Sequence, residues 1–189
     1  FSISLWANNT EALGSWEALV GRHRTGDTSF TDGYSLRYNN TVKDKLIFTV
    51  GKWATSAATA DCDWLRGIDS TFRHVVATYD HVANESKIYL NGTPDTTGAK
   101  ATGTTVAGTG ATKIGRGGTN ASYVWPGNID EVAFYNVVLD SGAISDLYNS
   151  GNGAKATTVS SSALVCYLDM ECNGPGSLIA KDLSGNDNH

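Results

Sequence analysis

The sequence predicts an all-β protein built as a two-sheet sandwich. Three observations support this: about ten short segments alternate apolar and polar residues, turn residues separate them, and only one helical signal interrupts the pattern. The chain has 189 residues, which fits one domain or one domain with a short appendage. It holds 21 glycines and only 17% charged residues, a composition more typical of an extracellular β protein than of a helical cytosolic one.

The predicted strands begin at the first residue. Phe1, Ile3 and Leu5 alternate with polar residues and should share one face of the first strand. Residues 72–80 are rich in β-branched side chains, and residues 87–90 complete a hairpin with them. The other predicted strands are 16–23, 33–38, 45–51, 112–116 and 163–169, with long loops at 52–70 and 93–111.

The most specific stretch is 128–136, where apolar and polar residues alternate after two adjacent carboxylates, Asp130 and Glu131. Neighbouring side chains of a regular strand point to opposite faces. The sequence therefore predicts that at most one of these two carboxylates faces the interior of the sandwich.

The helical signal is a short turn near 140–149. Asp140 is suited to cap its N-terminus, and Ile144 and Leu147 share one face. Residues 152–162 are mostly Ser, Thr, Gly and Ala, which predicts a linker. The expected organisation is a sandwich body over 1–151, this linker, and a C-terminal strand and loop over 163–189.

Charge and hydropathy exclude two classes of partner. The net charge is −5 and no cluster of Lys and Arg could follow a phosphate backbone, so we expect no nucleic acid. No apolar run approaches the roughly 18 residues of a membrane-spanning helix. No signal peptide is visible, so the sequence is expected to be a mature or excised form. The composition, rich in Gly and poor in charge, favours a location outside the cell or at its surface.

Several segments together resemble a known family. They are residues 1–6, 73–80, 87–92 and 127–136, and the similarity continues to residue 149. In combination they resemble successive strands of a laminin-G-like jelly roll of the concanavalin-A-like lectin and glucanase group. The resemblance implies a two-sheet antiparallel jelly-roll sandwich with an extracellular role, often in adhesion or glycan binding, and often with a structural calcium ion.

The order of the segments departs from that family. A strand like 163–169 and a loop like 182–189 normally open the domain, whereas here they stand at the C-terminus. Without them the body would expose a sheet edge. The tail could complete its own domain, a neighbouring copy, or the next repeat of an array. The abrupt start and end favour the last two, which predicts a non-catalytic structural or adhesion module that assembles with copies of itself.

The resemblance also implies a calcium site. Asp182, Asn186 and Asp130 are its candidate ligands, with Glu131 less favoured, since calcium takes six to eight oxygen ligands. The alternative is that Asp130 is a buried hydrogen-bonding residue and the loop at Asp182 a simple turn. The alternative function, which includes this calcium ion, is that of a calcium-assisted carbohydrate-binding module.

Aromatic residues and sequons supply further candidate sites. Trp53 and Trp64, in the long loop, are the candidates for stacking on sugar rings, although Trp more often belongs to a core. Five Asn-X-Ser/Thr sequons fall at predicted strand ends or loops, where glycans would be accessible unless these residues serve only as turns. They are Asn8, Asn39, Asn84, Asn91 and Asn120.

Three cysteines leave the disulfide pattern open. Cys166 and Cys172 would lie roughly 20 Å apart in an extended segment. Cys62 is therefore favoured as the partner of either one, with Cys62–Cys172 as the pairing put forward and three unlinked thiols as the alternative.

Catalysis has little support in the sequence. Alternate carboxylates on one strand, as in Asp61/Asp63 and Asp169/Glu171, could have the spacing that glycoside hydrolysis needs, but no Glu-x-Asp-x-x-Glu pattern is present. The four histidines have no Ser or Cys nucleophile context. We expect a protein that is not an enzyme, with glycan hydrolysis as a remote alternative.

Overall fold

A computed structural model describes residues 1–14, 16–23, 32–39, 45–51, 58–64, 68–95, 99–100, 108–117, 123–171, 180–186 and 188. Within these ranges the chain forms two antiparallel sheets and one α-helix. The fold class predicted from the sequence, a two-sheet antiparallel jelly-roll sandwich with one short helix, is confirmed.

The strands are β1 Ser2–Asn9, β2 Ala18–Arg22, β3 Tyr34–Asn39, β4 Lys45–Val50, β5 Ala58–Cys62, β6 Asp69–Asp80, β7 Glu85–Leu90, β8 Thr93–Pro94, β9 Ala99–Lys100, β10 Thr112–Ile114, β11 Ile129–Tyr135 and β12 Leu164–Leu168. The helix α1 is Ser141–Tyr148, and 3-10 turns follow at Asn149–Gly151, Ala156–Thr158 and Ser161–Ala163. The large sheet has the order β12-β11-β1-β6-β7-β8, with β9 also on β7, and the small sheet has the order β10-β2-β3-β4-β5.

The main core lies between the two sheets. Ile3 and Leu5 are fully buried there and Phe1 packs against the same cluster, so the predicted inner face of the first strand is confirmed. Leu36 and Phe48 of the small sheet meet them from the other side. Burying a side chain of this size contributes about 1.5–3 kcal/mol each, which makes this the principal driving force of the fold.

A second apolar cluster covers the outer face of the large sheet. Val76 and Tyr135 of the sheet pack there with Ile144 and Leu147 of α1. The predicted N-cap is confirmed, because the side chain of Asp140 accepts a hydrogen bond of 2.8 Å from the backbone N–H of Ala143.

Residues 152–162, predicted as a linker, are packed on this second cluster. Ala156 and Val159 are buried in it, and Gly153 and Ala154 donate backbone hydrogen bonds to the last turn of α1. Small apolar side chains at these positions fill the space beside α1. A segment whose composition is typical of a linker therefore packs with α1 over the outer face of the large sheet.

The C-terminal segment lies against the body of the same chain. β12 pairs with β11 in an antiparallel register that includes Ala133 opposite Tyr167. The loop 182–186 with Asn188 then lines the free edge of β12, where Leu183 donates a backbone hydrogen bond to Tyr167. Completion of a neighbouring copy or of a next repeat stays a prediction.

Both long loops predicted from the sequence contain short strands, since β8 and β9 lie within 93–111. β5 falls within 52–70 and pairs with β4, placing Cys62 opposite Leu46. Alanines in β5 weaken the apolar alternation that would have marked it as a strand.

In the described ranges, no helix has the length and hydropathy needed to cross a bilayer.

Candidate functional site

A pocket of about 410 Å³ opens on the outer face of the large sheet, at the margin of the helical cover. Its volume lies in the range typical of small-molecule sites. Its lining combines aromatic, acidic, amide and basic side chains with exposed backbone: Trp6, Phe72, Asp130, Glu131, Gly151, Asn152, Gly153, Ala154 and Lys155.

A β-bulge in β11 brings two carboxylates into this pocket. Ser4 pairs with Ala133 and Trp6 with Asp130, so the single residue Leu5 faces two residues of β11. The extra residue, Glu131, adopts a left-handed backbone conformation with φ of 53°. Such a bulge redirects side chains, and both Asp130 and Glu131 line the pocket. The prediction that they face opposite sides of a regular strand is therefore wrong.

The aromatic wall is held by ring contacts. Trp6 stacks on Tyr148 with ring centroids 5.9 Å apart and lies 5.1 Å from the ring of His74. Gly153 packs against the indole with φ of 71°, a conformation that favours glycine. Phe72 remains 40% exposed. The pocket thus has one fixed ring and one ring open to a ligand.

The two carboxylates sit in a partly desolvated, negative environment. Burial raises the pKa of Glu131, while a hydrogen bond from the Tyr167 hydroxyl stabilises its ionised form. Burial also raises the pKa of Asp130, and the negative charges of Glu171 and Asp169 raise it further. Lys155 is the cation among the lining residues.

The predicted calcium ligands Asp182 and Asn186 instead bind the edge of β12. The carboxylate of Asp182 accepts hydrogen bonds from the backbone N–H of Tyr167 and from Ser184 and Asn188 through both backbone and side chain. Asn186 donates to the carbonyls of Leu164 and Val165.

The electrostatics of Asp182 follow from these bonds. Burial alone would raise its pKa, but the backbone donors of Tyr167, Ser184 and Asn188 hold that pKa well below its usual range. Five donors also exceed the roughly four lone-pair sites of a carboxylate. Both of its oxygens are thus already occupied by the fold.

The four predicted ligands do not come together as a calcium site in the described part of the chain. There, no group of three or more His, Cys, Asp or Glu side chains is placed to hold a metal ion. Asp130 and Glu131 line the pocket, whereas Asp182 and Asn186 bind the strand edge. Calcium binding stays a prediction.

The predicted sugar-stacking residue Trp64 is a core residue. It is only 2% exposed, its Nε1 donates to the side chain of Asn9 at 3.0 Å, and its ring meets the edge of Trp125. The prediction for Trp64 is wrong because long-range partners bury it. Trp53 lies outside the described residues. The aromatic residues that line the pocket are Phe72 and Trp6, and the sequence interpretation missed both. For Trp6 a signal was available, because it alternates with Phe1, Ile3 and Leu5 and so lies on the outer face of β1.

Two of the predicted glycosylation sites are inaccessible. Asn8 is 4% exposed and its Nδ2 donates to the carbonyl of Ser70 at 3.0 Å, and Asn39 is fully buried. The expectation that all sequons are accessible is wrong for these two, because both lie in strands whose two faces are covered.

The other sequons keep their status as predictions. Asn84 and Asn91 are half-buried at turns, where their Oδ1 atoms accept from the Tyr79 hydroxyl and the backbone N–H of His74. Asn120 lies outside the described residues. Glycosylation at these three positions stays a prediction.

Cys62 is a free thiol in the structure, and the Cys62–Cys172 disulfide stays a prediction. The side chain is fully buried among core residues, and this burial raises the pKa of the thiol. Cys166 is also free, with a thiol whose pKa burial raises to about 11. Cys172 lies outside the described residues.

The carboxylate pairs considered as catalytic candidates form ion pairs or hydrogen bonds with neighbouring residues. Asp61 and Asp63 form ion pairs of 2.9 and 3.0 Å with Lys45. Asp169 accepts a hydrogen bond of 3.2 Å from the backbone N–H of Glu171.

The stacked sheets with their helical cover and lateral pocket define a lectin-like β-sandwich. Residues 1–145 match the family model of the concanavalin A-like lectin/glucanases superfamily. The chain belongs to this superfamily, which confirms the resemblance found in its sequence. No curated protein sequence matches the chain.

Solved structures share the fold at low sequence identity. A proposed carbohydrate binding protein of Bacteroides ovatus is 18% identical with a TM-score of 0.64, over 98% of this chain and 50% of that one. The CBM40 of the IT-sialidase of Ruminococcus gnavus is 14% identical with a TM-score of 0.59, over 76% and 79%. The heptameric SAP-like pentraxin of Limulus polyphemus is 18% identical with a TM-score of 0.54, over 82% and 71%. This chain spans half the length of the Bacteroides ovatus protein.

Proposed function

We propose that this chain is a non-catalytic carbohydrate-binding module whose ligand site is the pocket beside Phe72. The observation that carries the proposal is the composition of that pocket. It places an exposed aromatic ring next to carboxylate, amide and ammonium groups. Rings that stack and polar groups that orient are the two elements of a specific small-ligand site.

The pocket chemistry suits a pyranose ring. The apolar face of a sugar can pack on Phe72 and on the edge of Trp6, while Asp130 and Glu131 accept hydrogen bonds from its hydroxyl groups. Hydrogen bonds to an ionised acceptor are roughly twice as strong as neutral ones. The hydroxyl of Tyr167 orients Glu131, which reduces the conformational freedom that binding would remove.

The structural neighbours support the same class of ligand. The Bacteroides ovatus protein is described as a proposed carbohydrate binder and the Ruminococcus gnavus domain as a CBM40. The lectin-like fold is also consistent with a location outside the cell or at its surface.

A glycan array followed by calorimetric titration tests the proposal. The wild-type chain should bind at least one neutral oligosaccharide, and Phe72→Ala should weaken that binding by about tenfold, or roughly 1.4 kcal/mol. Val82→Ala is the matched control, because Val82 is exposed in the turn between β6 and β7 and lies outside the pocket. Absence of binding, or full binding by Phe72→Ala, would contradict the proposal.

The calcium-assisted form of this function has a separate readout. The same titration with and without a chelator should give equal affinities if the described side chains suffice for binding. A loss of binding in chelator would place calcium in the site and support the sequence prediction over the pocket chemistry described here.

Head-to-tail assembly and adhesion stay predictions from the sequence. Their motive was the missing partner for the edge of the body, and within one chain β12 already supplies that partner to β11. No specific contact of the described residues favours assembly over carbohydrate binding.

A further inference from the structure

We infer that this pocket selects neutral or amine-bearing sugars and rejects sugars that carry a carboxylate or sulfate. The inference rests on the proposed function and specifies the charge of the ligand. Its basis is the pair of carboxylates that the bulge of β11 turns toward the same cavity.

Negative charge dominates the surroundings of the pocket. Asp130 and Glu131 line it, and Asp169 and Glu171 lie close enough to raise the pKa of Asp130. Lys155 is the opposing charge in the lining and is itself exposed to solvent. An anionic sugar would therefore meet two partly buried like charges and one solvent-screened cation.

Partial burial makes this repulsion effective. Charges near or below a protein surface interact more strongly than in bulk water, because the effective dielectric constant falls from about 80 to about 20. A sugar carboxylate would also have to lose its own hydration to enter. A hydroxyl or ammonium group in the same place would donate to these carboxylates instead.

The bulge is the structural determinant of this selectivity. In a regular strand one of the two side chains would point away, leaving a single carboxylate in the pocket. The left-handed backbone at Glu131 places the second one there, and the hydroxyl of Tyr167 holds it. Discrimination by like charge is a standard means of excluding the wrong ligand.

Charge-matched ligands test the inference. The probes are the strongest neutral oligosaccharide found on the array and its sialylated and sulfated counterparts, with lactose, α2,3-sialyllactose and 3′-sulfolactose as the reference set. Wild-type protein should bind the charged probe at least about tenfold more weakly than its neutral counterpart at low salt. That gap should narrow at about 0.5 M salt, where the Debye length is only a few ångströms.

The double variant Asp130→Asn, Glu131→Gln assigns the effect to these residues. Both changes keep the size of the side chain, and Gln retains an acceptor for the Tyr167 hydroxyl. The ratio of neutral-sugar affinity to charged-sugar affinity should fall to within about threefold, while the neutral sugar itself binds more weakly because Asn and Gln offer only uncharged acceptors to its hydroxyl groups. Asp146→Asn is the matched control, since it removes one exposed carboxylate of α1 that does not line the pocket. If the double variant fails to fold, Asp130→Asn alone should reduce the gap in part.

The outcomes separate the two proposals. Equal binding of neutral and charged probes by the wild-type protein overturns this inference and leaves carbohydrate binding intact. A gap that the double variant retains also overturns it, because the selectivity then arises elsewhere. Failure to bind any glycan overturns the inference together with the proposed function.

Discussion

Tyr167 lies between two carboxylates that serve different purposes. Its backbone N–H donates to Asp182, whose two oxygens accept five hydrogen bonds in total. Its hydroxyl donates to Glu131, which lines a pocket. The fold lowers the pKa of Asp182 and raises that of Glu131.

The comparison teaches how structural and binding carboxylates differ within one fold. Asp182 is saturated by donors that tie a loop to the edge of β12, so ionisation stabilises the fold. Glu131 is partly desolvated, so its ionisation opposes folding. It accepts a hydrogen bond from the Tyr167 hydroxyl and can accept further hydrogen bonds from a ligand in the pocket. Sequence reasoning assigned both to one calcium site, because residue type alone does not report how many donors surround a carboxylate.

Asp182→Ala should produce the largest effect on stability. It leaves the buried N–H of Tyr167 and the donors of Ser184 and Asn188 without their acceptor, and each unsatisfied buried donor costs about 1–3 kcal/mol. We expect the free energy of unfolding to fall by about 3 kcal/mol in urea denaturation. Asp146→Ala, an exposed control, should change it by less than about 0.5 kcal/mol. A loss below 1 kcal/mol for Asp182→Ala would show that the cap of β12 is dispensable.

Acid should lower the stability of the protein through the buried imidazole of His74, at a higher pH than through Asp182. Burial lowers the pKa of His74 to about 4, below the usual value of 6.5. The unfolded state therefore binds a proton first, so stability is full above about pH 6.5 and is lost as the pH falls toward 4. The loss should approach about 3 kcal/mol, from 1.36 kcal/mol per pKa unit.

His74→Gln is the test of that assignment. It should flatten the pH dependence of the free energy of unfolding between about pH 6.5 and 4, whatever its effect at neutral pH. Asp182 should not titrate in this window, because its pKa is depressed and its contribution is lost only at lower pH. An unchanged slope in His74→Gln would place the acid sensitivity in another group.

Neutralising the pocket should change stability in the opposite direction to neutralising the cap. Asp130 and Glu131 have raised pKa values, so their ionisation at about pH 7 disfavours the folded state. Asp130→Asn with Glu131→Gln should stabilise the protein by a few tenths of a kcal/mol, after discounting for solvent screening. This gain should vanish once acid protonates the carboxylates of the wild type. Destabilisation at neutral pH would indicate that the pocket carboxylates are structural, as Asp182 is.

The sequence predicted the architecture because the architecture depends on repeated local patterns. The alternation of Phe1, Ile3 and Leu5 and the cap at Asp140 each follow from neighbouring residues. The candidate site depends on features that no pattern among neighbouring residues predicts. A left-handed Glu131 interrupts an alternating run that otherwise indicates a regular strand. The burial of Trp64 is decided by Asn9 and Trp125, residues far from it in the chain.

Tyr167→Phe should give the most diagnostic effect, because it alters one of the two carboxylate contacts and keeps the other. The backbone N–H still donates to Asp182, so the cap of β12 should persist and the free energy of unfolding should change by no more than about 1 kcal/mol. Glu131 loses the hydroxyl that orients it, so the affinity for a neutral sugar should fall by about threefold. Tyr89→Phe is a matched control, since Tyr89 lies on β7 and does not line the pocket. Unchanged sugar affinity with reduced stability would mean that the Tyr167 hydroxyl serves the fold, and that Glu131 is held in the pocket by its bulge alone.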